Sequence, residues 1–191
     1  MPGAPSPPNV PPLDGWVCVD DTTDRLFEFG LVSVVARTVV YEDRTIRERV
    51  PAAADGPWRF FFASRLTIRP HTPPSSALTR LVDHRATSGF ESRLRNRGFS
   101  DLSHAETRSL AVAVGEATVH RYDATVSLAG VRLAAVASLA IAPVDGEFLL
   151  IGGAYPREIL GGDGETAAVL RTALDPTRFR EELFDVIRTT D

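Results

Sequence analysis

The chain has 191 residues, of which 43% are hydrophobic and 24% are charged, and its net charge at pH 7 is -4. This composition is typical of a globular domain and argues against a dedicated nucleic-acid binder, whose surface must neutralise phosphates. No apolar run approaches the ~18 residues of a membrane-spanning helix. The single cysteine, Cys18, excludes an intramolecular disulfide and a zinc knuckle.

All 21 basic residues are arginine. The lack of lysine excludes a P-loop nucleotidase and any Schiff-base or pyridoxal phosphate enzyme, because both chemistries require a lysine amine. The bias itself is typical of a GC-rich genome.

The first residues are rich in proline, which removes backbone donors and disfavours regular structure. We therefore divide the chain into a Pro-rich N-terminal tail, residues 1–14, and a single domain, residues 15–191. The tail is expected to be solvated or loosely packed; a polyproline ligand is the functional alternative. It lacks the basic and apolar regions of a secretory signal, and no lipobox precedes Cys18, so we expect a cytoplasmic protein.

The first half of the domain is predicted to be mainly strands. Residues 16–19 form a short strand that ends in a turn at residues 20–24, and 26–41 form a strand with a bulge or bend at Gly30. In residues 45–50, the side chains alternate in the way typical of a strand with one solvent-exposed face. A hairpin connection at 52–57 then leads to the strongest period-two signal, residues 58–69, which predicts a core strand.

Helical spacing follows residues 70–74. Ser75 or Ser76 is expected to cap a helix, and the break at Ser88-Gly89 indicates two consecutive helices or one kinked helix. Gly98 occupies the position of a left-handed cap, with Phe99 as its apolar contact.

Strands return in a predicted antiparallel meander of residues 107–114, 118–128, 131–142 and 147–155, the last ended by Pro156. Small apolar residues make 131–142 a central strand buried on both faces. Asp175-Pro176 opens a terminal helix with a buried face of Phe179, Leu183 and Ile187, and residues 166–174 form a possible short helix before it. Helices segregated from antiparallel strands indicate the α+β class.

The order of elements resembles the PsbP-like fold, in which an antiparallel sheet lies between helices (an α/β/α sandwich). The resemblance is carried by Arg97-Gly98-Phe99 and by residues 118–128, 131–142, 148–155 and 179–187. The stretches 117–130 and 151–156 resemble uncharacterised haloarchaeal proteins more closely, many of which look like exported lipoproteins. The resemblance implies an accessory or binding module without a shared active site.

Few residue patterns indicate chemistry. The four histidines lack the spacing of metal ligands, and Asp20, Asp21 and Asp24 lack the spacing of a calcium loop, so we expect no metal site. Cys18 is interpreted as a buried small side chain rather than a nucleophile. No Gly-x-Ser-x-Gly motif is present, although a catalytic triad assembled in space stays possible. Residues 161–164 are interpreted as a loop rather than a phosphate cradle. No cofactor is expected.

Arginine density is highest in the middle helix, where five arginines stand against two acidic residues between positions 80 and 97. Arg93 and Arg97, one helical turn apart, are the candidate contacts for an acidic partner or anionic ligand. The leading hypothesis is a non-enzymatic accessory module that binds a protein partner or an anionic ligand. The alternative is a small-ligand carrier or enzyme with a pocket between sheet and helices, lined by residues such as Trp58 and Phe60.

Overall fold

The structure is a computed structural model that describes residues 5–29, 32–50, 59–71, 73 and 75–191. Its strands are β1 (Trp16–Phe29), β2 (Val32–Asp43), β3 (Phe60–Arg69), β4 (Phe99–Val112), β5 (Gly115–Leu128), β6 (Val131–Val144) and β7 (Glu147–Gly161). Its helices are α1 (Arg44–Arg49), α2 (Ser76–Asn96), α3 (Glu165–Ala173) and α4 (Pro176–Thr189).

All seven strands form one antiparallel sheet in the order β1-β2-β3-β7-β6-β5-β4. The α+β class and the meander predicted from sequence are therefore confirmed. Two of the three tight turns of the meander place Ala129-Gly130 and Asp145-Gly146 at positive φ, the backbone that matches the twist of a two-residue hairpin. β6 is buried on both faces over nearly its whole length, as expected.

The two long helices lie against opposite faces of the sheet. In β7, a side chain at Gly152 would meet the ring of Phe62, which itself packs on Phe90 of α2. A side chain at the next residue, Gly153, would instead lie 3.0 Å from Leu183 Cδ1 in α4. Because neighbouring strand residues face opposite sides, α2 covers one face and α4 the other.

Helix α2 begins as predicted. The Ser75 side chain accepts a hydrogen bond from the backbone amide of Leu78, which satisfies one donor of the first turn. The helix is a single element of 21 residues that runs through Ser88-Gly89, so the alternative of two separate helices is wrong. Gly98 adopts a φ of +90° after its end, and Phe99 is buried.

The terminal helix is also confirmed. Asp175 accepts a hydrogen bond from the amide of Arg178, and Pro176 occupies the first turn of α4. Phe179, Leu183 and Ile187 are buried against the sheet.

The strand predicted at residues 45–50 is wrong, because this segment is helix α1. Asp43 caps it by accepting a hydrogen bond from the amide of Ile46, and Ile46 is its one buried helical residue. In a segment of only six residues, alternating apolar and polar side chains are compatible with a strand and equally with a short helix that buries one residue. The sequence pattern therefore cannot distinguish the two structures.

The turn predicted at residues 20–24 is also wrong, since β1 continues through it to Phe29. Asp21 pairs with Val39 and Asp24 with Ala36 of β2, and Arg37 donates two hydrogen bonds to the Asp21 carboxylate. β1 is an edge strand whose side chains are mostly exposed. Polar residues are therefore tolerated in it, because backbone pairing with β2 holds the chain extended. Cys18 on this strand is exposed, which corrects the expectation that it is buried.

Other boundaries differ by several residues. The single strand predicted at 26–41 is the end of β1 and most of β2, β4 begins at Phe99, and β7 runs past Pro156 to Gly161. A register shift in β6 opposite this proline accommodates it in the sheet. The predictions for Gly30, Trp58 and residues 52–57 fall outside the described residues.

The described part of the Pro-rich segment is irregular but packed. Pro5 and Pro8 are buried, and Val10 and Leu13 lie against the core. Asn9 forms two backbone hydrogen bonds and one side-chain hydrogen bond with Asp191, so this part is held against the domain rather than solvated.

Candidate functional site

A cleft separates the first half of α2 from the sheet. The buried residues of this helix, Phe90 and Leu94, both lie in its second half, whereas Leu78 and Val82 are half-buried and Leu81 is 54% exposed. The helix therefore rests on the sheet near its end and stands away from it near its beginning. The resulting space, called here the α2 cleft, has a volume of about 680 Å³, within the usual range for small-ligand pockets.

The lining of the α2 cleft is almost entirely apolar. Its floor is formed by Val34 and Ala36 of β2, by Phe62, Leu66 and Ile68 of β3, and by Leu139 and Leu150 of the central strands. Its roof is formed by residues Leu78, Leu81, Val82, Ala86, Gly89 and Phe90 of α2.

Leu26 and Phe27 of β1 form one side of the cleft mouth. Adjacent residues of a regular strand point to opposite faces, but the register of β1 against β2 shifts between Arg25 and Phe27. Such a bulge changes the direction of a side chain, and both residues line the cleft while remaining 50% and 52% exposed. Large apolar side chains that stay exposed around a concave surface are typical of a binding site.

Among the residues that the structure describes, three polar side chains line the cleft: Ser64, Arg85 and Arg93. The Ser64 hydroxyl is buried and hydrogen-bonded to that of Thr38 at 2.8 Å. Arg85 and Arg93 form no ion pair with any described residue, although Arg95 beside them pairs with Glu91 at 3.0 Å. Among the described residues, the lining includes no carboxylate and no imidazole.

The structure separates the two predicted contact residues. Arg93 is exposed and lines the α2 cleft. Arg97 instead lies over the ring of Phe60, 4.4 Å from its centroid, and its Nη1 is 3.5 Å from Glu42 Oε1. These contacts attach the end of α2 to β2 and β3, so Arg97 is held by the protein itself.

Phe60, one of the two predicted pocket residues, is not part of the described cleft lining. Phe60 is buried between Phe99 and Arg97, and Trp58 is outside the described residues. The space between sheet and helix therefore lies further along β3 than the sequence suggested.

A chain of hydrogen bonds joins α2 to the far edge of the sheet. Asp83 Oδ1 is 2.7 Å from His120 Nε2, His120 Nδ1 is 3.2 Å from Thr107 Oγ1, and that hydroxyl is 2.9 Å from His104 Nε2. The sequence analysis missed this chain, because its members come from α2, β4 and β5.

The carboxylate–imidazole–hydroxyl order resembles that of a nucleophilic triad. The Thr107 hydroxyl, however, is shared by two imidazole rings, and Thr107 does not line the α2 cleft. We interpret the chain as an anchor for the middle of α2.

Within the described ranges, no group of three histidine, cysteine or acidic residues is arranged to hold a metal ion. Residues 162–164 form an irregular connection before α3, and Gly164 gives that helix no side-chain cap. The thiol of Cys18 donates to the carbonyl of Asp20 at 3.4 Å.

The helices in the described part of the chain are all too short or too polar to cross a membrane. A family model, described as a domain of unknown function (DUF6517), matches residues 7–191. No curated protein sequence matches the chain at a significant level.

Proposed function

Since the chain belongs to the DUF6517 family, whose description names no activity, we propose a function mainly from the geometry: a non-enzymatic carrier or binding module. Its ligand would be amphipathic, with an apolar body in the α2 cleft and an anionic group beside Arg85 and Arg93. The observation that carries this proposal is the concentration of exposed apolar side chains around a cleft whose unpaired polar groups are two arginines.

The apolar part of the ligand follows from the lining. Leu26, Phe27 and Leu81 are each about half exposed at the cleft mouth. Covering such side chains removes apolar surface from water and contributes about 25 cal/mol per Å². A ligand with an extended hydrocarbon segment would cover all three at once.

The anionic part follows from charge. Arg85 and Arg93 both line the cleft from α2, and neither has a described carboxylate within 4 Å. A guanidinium at the rim of an apolar cleft pairs with a carboxylate or phosphate of the ligand and fixes its direction. Cationic ligands would be repelled by the same pair.

The likeness to the PsbP-like fold supports a binding role, because that fold places a sheet between helices and carries no shared active site. The lack of a described acid–base pair in the cleft also favours binding over catalysis. The cytoplasmic location expected from sequence stays a prediction.

The proposal is tested by calorimetric titration of the full chain with dodecanoate and with dodecyltrimethylammonium, both below their micellar concentrations. The two probes share a hydrocarbon chain and differ in charge. We expect saturable binding of one dodecanoate and several-fold weaker binding of the cation. If neither probe binds saturably, the proposal is contradicted.

Arginine variants locate the charge preference. The Arg85→Gln/Arg93→Gln double variant is expected to bind both probes with similar affinity. Arg80→Gln removes an exposed charge from the same helix outside the cleft and is expected to keep the preference. If the ligand-free chain self-associates and dodecanoate disrupts this association, the natural occupant of the cleft is a second copy of the chain instead.

A further inference from the structure

A second cavity lies on the face of the sheet opposite the α2 cleft. It has a volume of about 290 Å³ and is called here the arginine pocket. Its polar lining comprises Glu106 and Arg108 of β4, Arg121 of β5, Ser138 of β6, Tyr155 and Arg157 of β7, and Arg180 of α4. Arg121 pairs with Ser138, and Ser138 with Gly153, so this lining faces the same side as α4.

Positive charge is in excess in the arginine pocket. Arg121 and Arg157 share the carboxylate of Asp123 at 3.3 and 3.6 Å, and Arg121 also lies 3.6 Å from Glu106. Arg108 and Arg180 have no carboxylate partner among the described residues. Both lie against the ring of Phe184, with their guanidinium carbons 4.9 and 5.8 Å from its centroid. Two guanidinium groups are therefore free to bind an anion.

The buried hydroxyl of Ser138 points to the same conclusion independently. Ser138 is 1% exposed and lines the pocket, yet its Oγ has no hydrogen-bond partner in the described part of the chain. A buried polar atom without a partner is costly and rare, and an ion or water at that place is a common reason for it.

Tyr155 adds a second neutral donor. Burial raises the pKa of Tyr155, although Arg180, Arg121 and Arg157 act in the opposite direction. The phenol therefore stays protonated at neutral pH and can donate a hydrogen bond into the pocket.

We propose that the arginine pocket binds the phosphate group of a small ligand. Arg108 and Arg180 neutralise the negative charge of the phosphate, and the Ser138 hydroxyl donates a hydrogen bond to one of its oxygens. Arginine is suited to this role because its guanidinium presents paired donors to a phosphate. The pocket volume lies at the lower end of the range for ligand sites, which favours free phosphate or a small phosphomonoester. This site is independent of the proposed α2 cleft function.

The test is a calorimetric titration of the full chain with inorganic phosphate and with glycerol phosphate, at constant ionic strength adjusted with sodium chloride. We expect saturable binding of at least one of the two. Binding of both identifies the phosphate group as the recognised part; binding of phosphate alone shows that the pocket accepts only the free ion. No saturable binding of either would overturn the proposal.

Two arginine variants assign the site. Arg180→Gln is expected to weaken phosphate binding about tenfold or more, the usual effect of losing a charge-assisted hydrogen bond. Arg171→Gln removes an exposed charge from α3, outside the pocket, and is expected to bind as the wild type does. Equal affinities for these two variants would overturn the proposal.

Ser138→Ala separates binding from structure. It is expected to weaken phosphate binding several-fold while leaving the melting temperature of the phosphate-free protein unchanged or higher, because it deletes an unpaired buried hydroxyl. Wild-type affinity together with a lowered melting temperature would show a purely structural hydroxyl and contradict the proposal. Leu81→Ser, in the α2 cleft, is expected to leave phosphate binding unchanged.

Discussion

His120 Nε2 on β5 lies 2.7 Å from Asp83 Oδ1 on α2. The imidazole is buried and the carboxylate is half-buried. This hydrogen bond joins α2 to the sheet from within residues 78–90, which roof the α2 cleft, and ahead of Phe90 and Leu94, through which the second half of the helix is packed.

Asp83→Ala is expected to lower the free energy of unfolding by about 1–3 kcal/mol, because it leaves the buried His120 nitrogen without a partner. The measurement is urea unfolding at neutral pH. Asp185→Ala is the matched control, since it removes an exposed pair with Arg188 on α4 and is expected to cost under about 1 kcal/mol. Equal losses for the two variants would contradict the anchoring role of Asp83.

The three tyrosines are expected to ionise above their usual pKa of about 10. Burial raises the pKa of Tyr122 to about 12, with Glu91 and Asp83 adding to the effect, and burial also raises the pKa values of Tyr41 and Tyr155. The unfolded chain loses these protons first as pH rises. The free energy of unfolding is therefore expected to fall between about pH 10 and pH 12.

Absorbance of the phenolate during alkaline titration checks this prediction. The Tyr122 phenol of the folded protein is expected to ionise with a pKa of about 12, and Tyr122→Phe is expected to remove that step. A step near pH 10 in the folded wild type that Tyr122→Phe abolishes would contradict it.

Gly153 and Gly89 are predicted to respond to alanine in opposite directions. A Cβ at Gly153 would clash with the carbonyl of Phe60 and lie 3.0 Å from Leu183 Cδ1, whereas one at Gly89 has no atom within 4 Å. Gly153→Ala is expected to destabilise by about 3 kcal/mol through overpacking. Gly89→Ala lies inside α2 and is expected to stabilise by about 0.5–1 kcal/mol.

Thermal or urea unfolding of both variants measures this difference. A Gly153→Ala protein as stable as the wild type would show that β3 and α4 can both give way to the added methyl group, contrary to the packing described.

Elements with a strong local signal could be predicted from sequence. Ser75, Gly98 and Asp175 mark helix ends by hydrogen bonds and backbone conformation within a few residues of themselves, so local rules sufficed. The buried strand β6 was recognisable because nearly every residue in it is apolar.

Predictions from sequence failed where contacts between distant parts of the chain determine the local structure. Asp20, Asp21 and Asp24 favour a turn locally, but pairing with β2 holds them in an edge strand. The strand expected at 45–50 became a helix under the cap of Asp43. A pocket between sheet and helices was an alternative from sequence, but its lining could not be predicted: the bulge that turns Leu26 and Phe27 into the α2 cleft depends on the register with β2.

The central claim, that the α2 cleft binds an amphipathic anion, is tested most directly by comparing dodecanoate affinities of two leucine variants. Leu81 at the cleft mouth is 54% exposed and Leu160, outside it, is 48% exposed, so either residue can become serine with little effect on folding. We expect Leu81→Ser to weaken dodecanoate binding about tenfold, from lost apolar burial, and Leu160→Ser to bind as the wild type does. Equal affinities for the two variants would contradict the account.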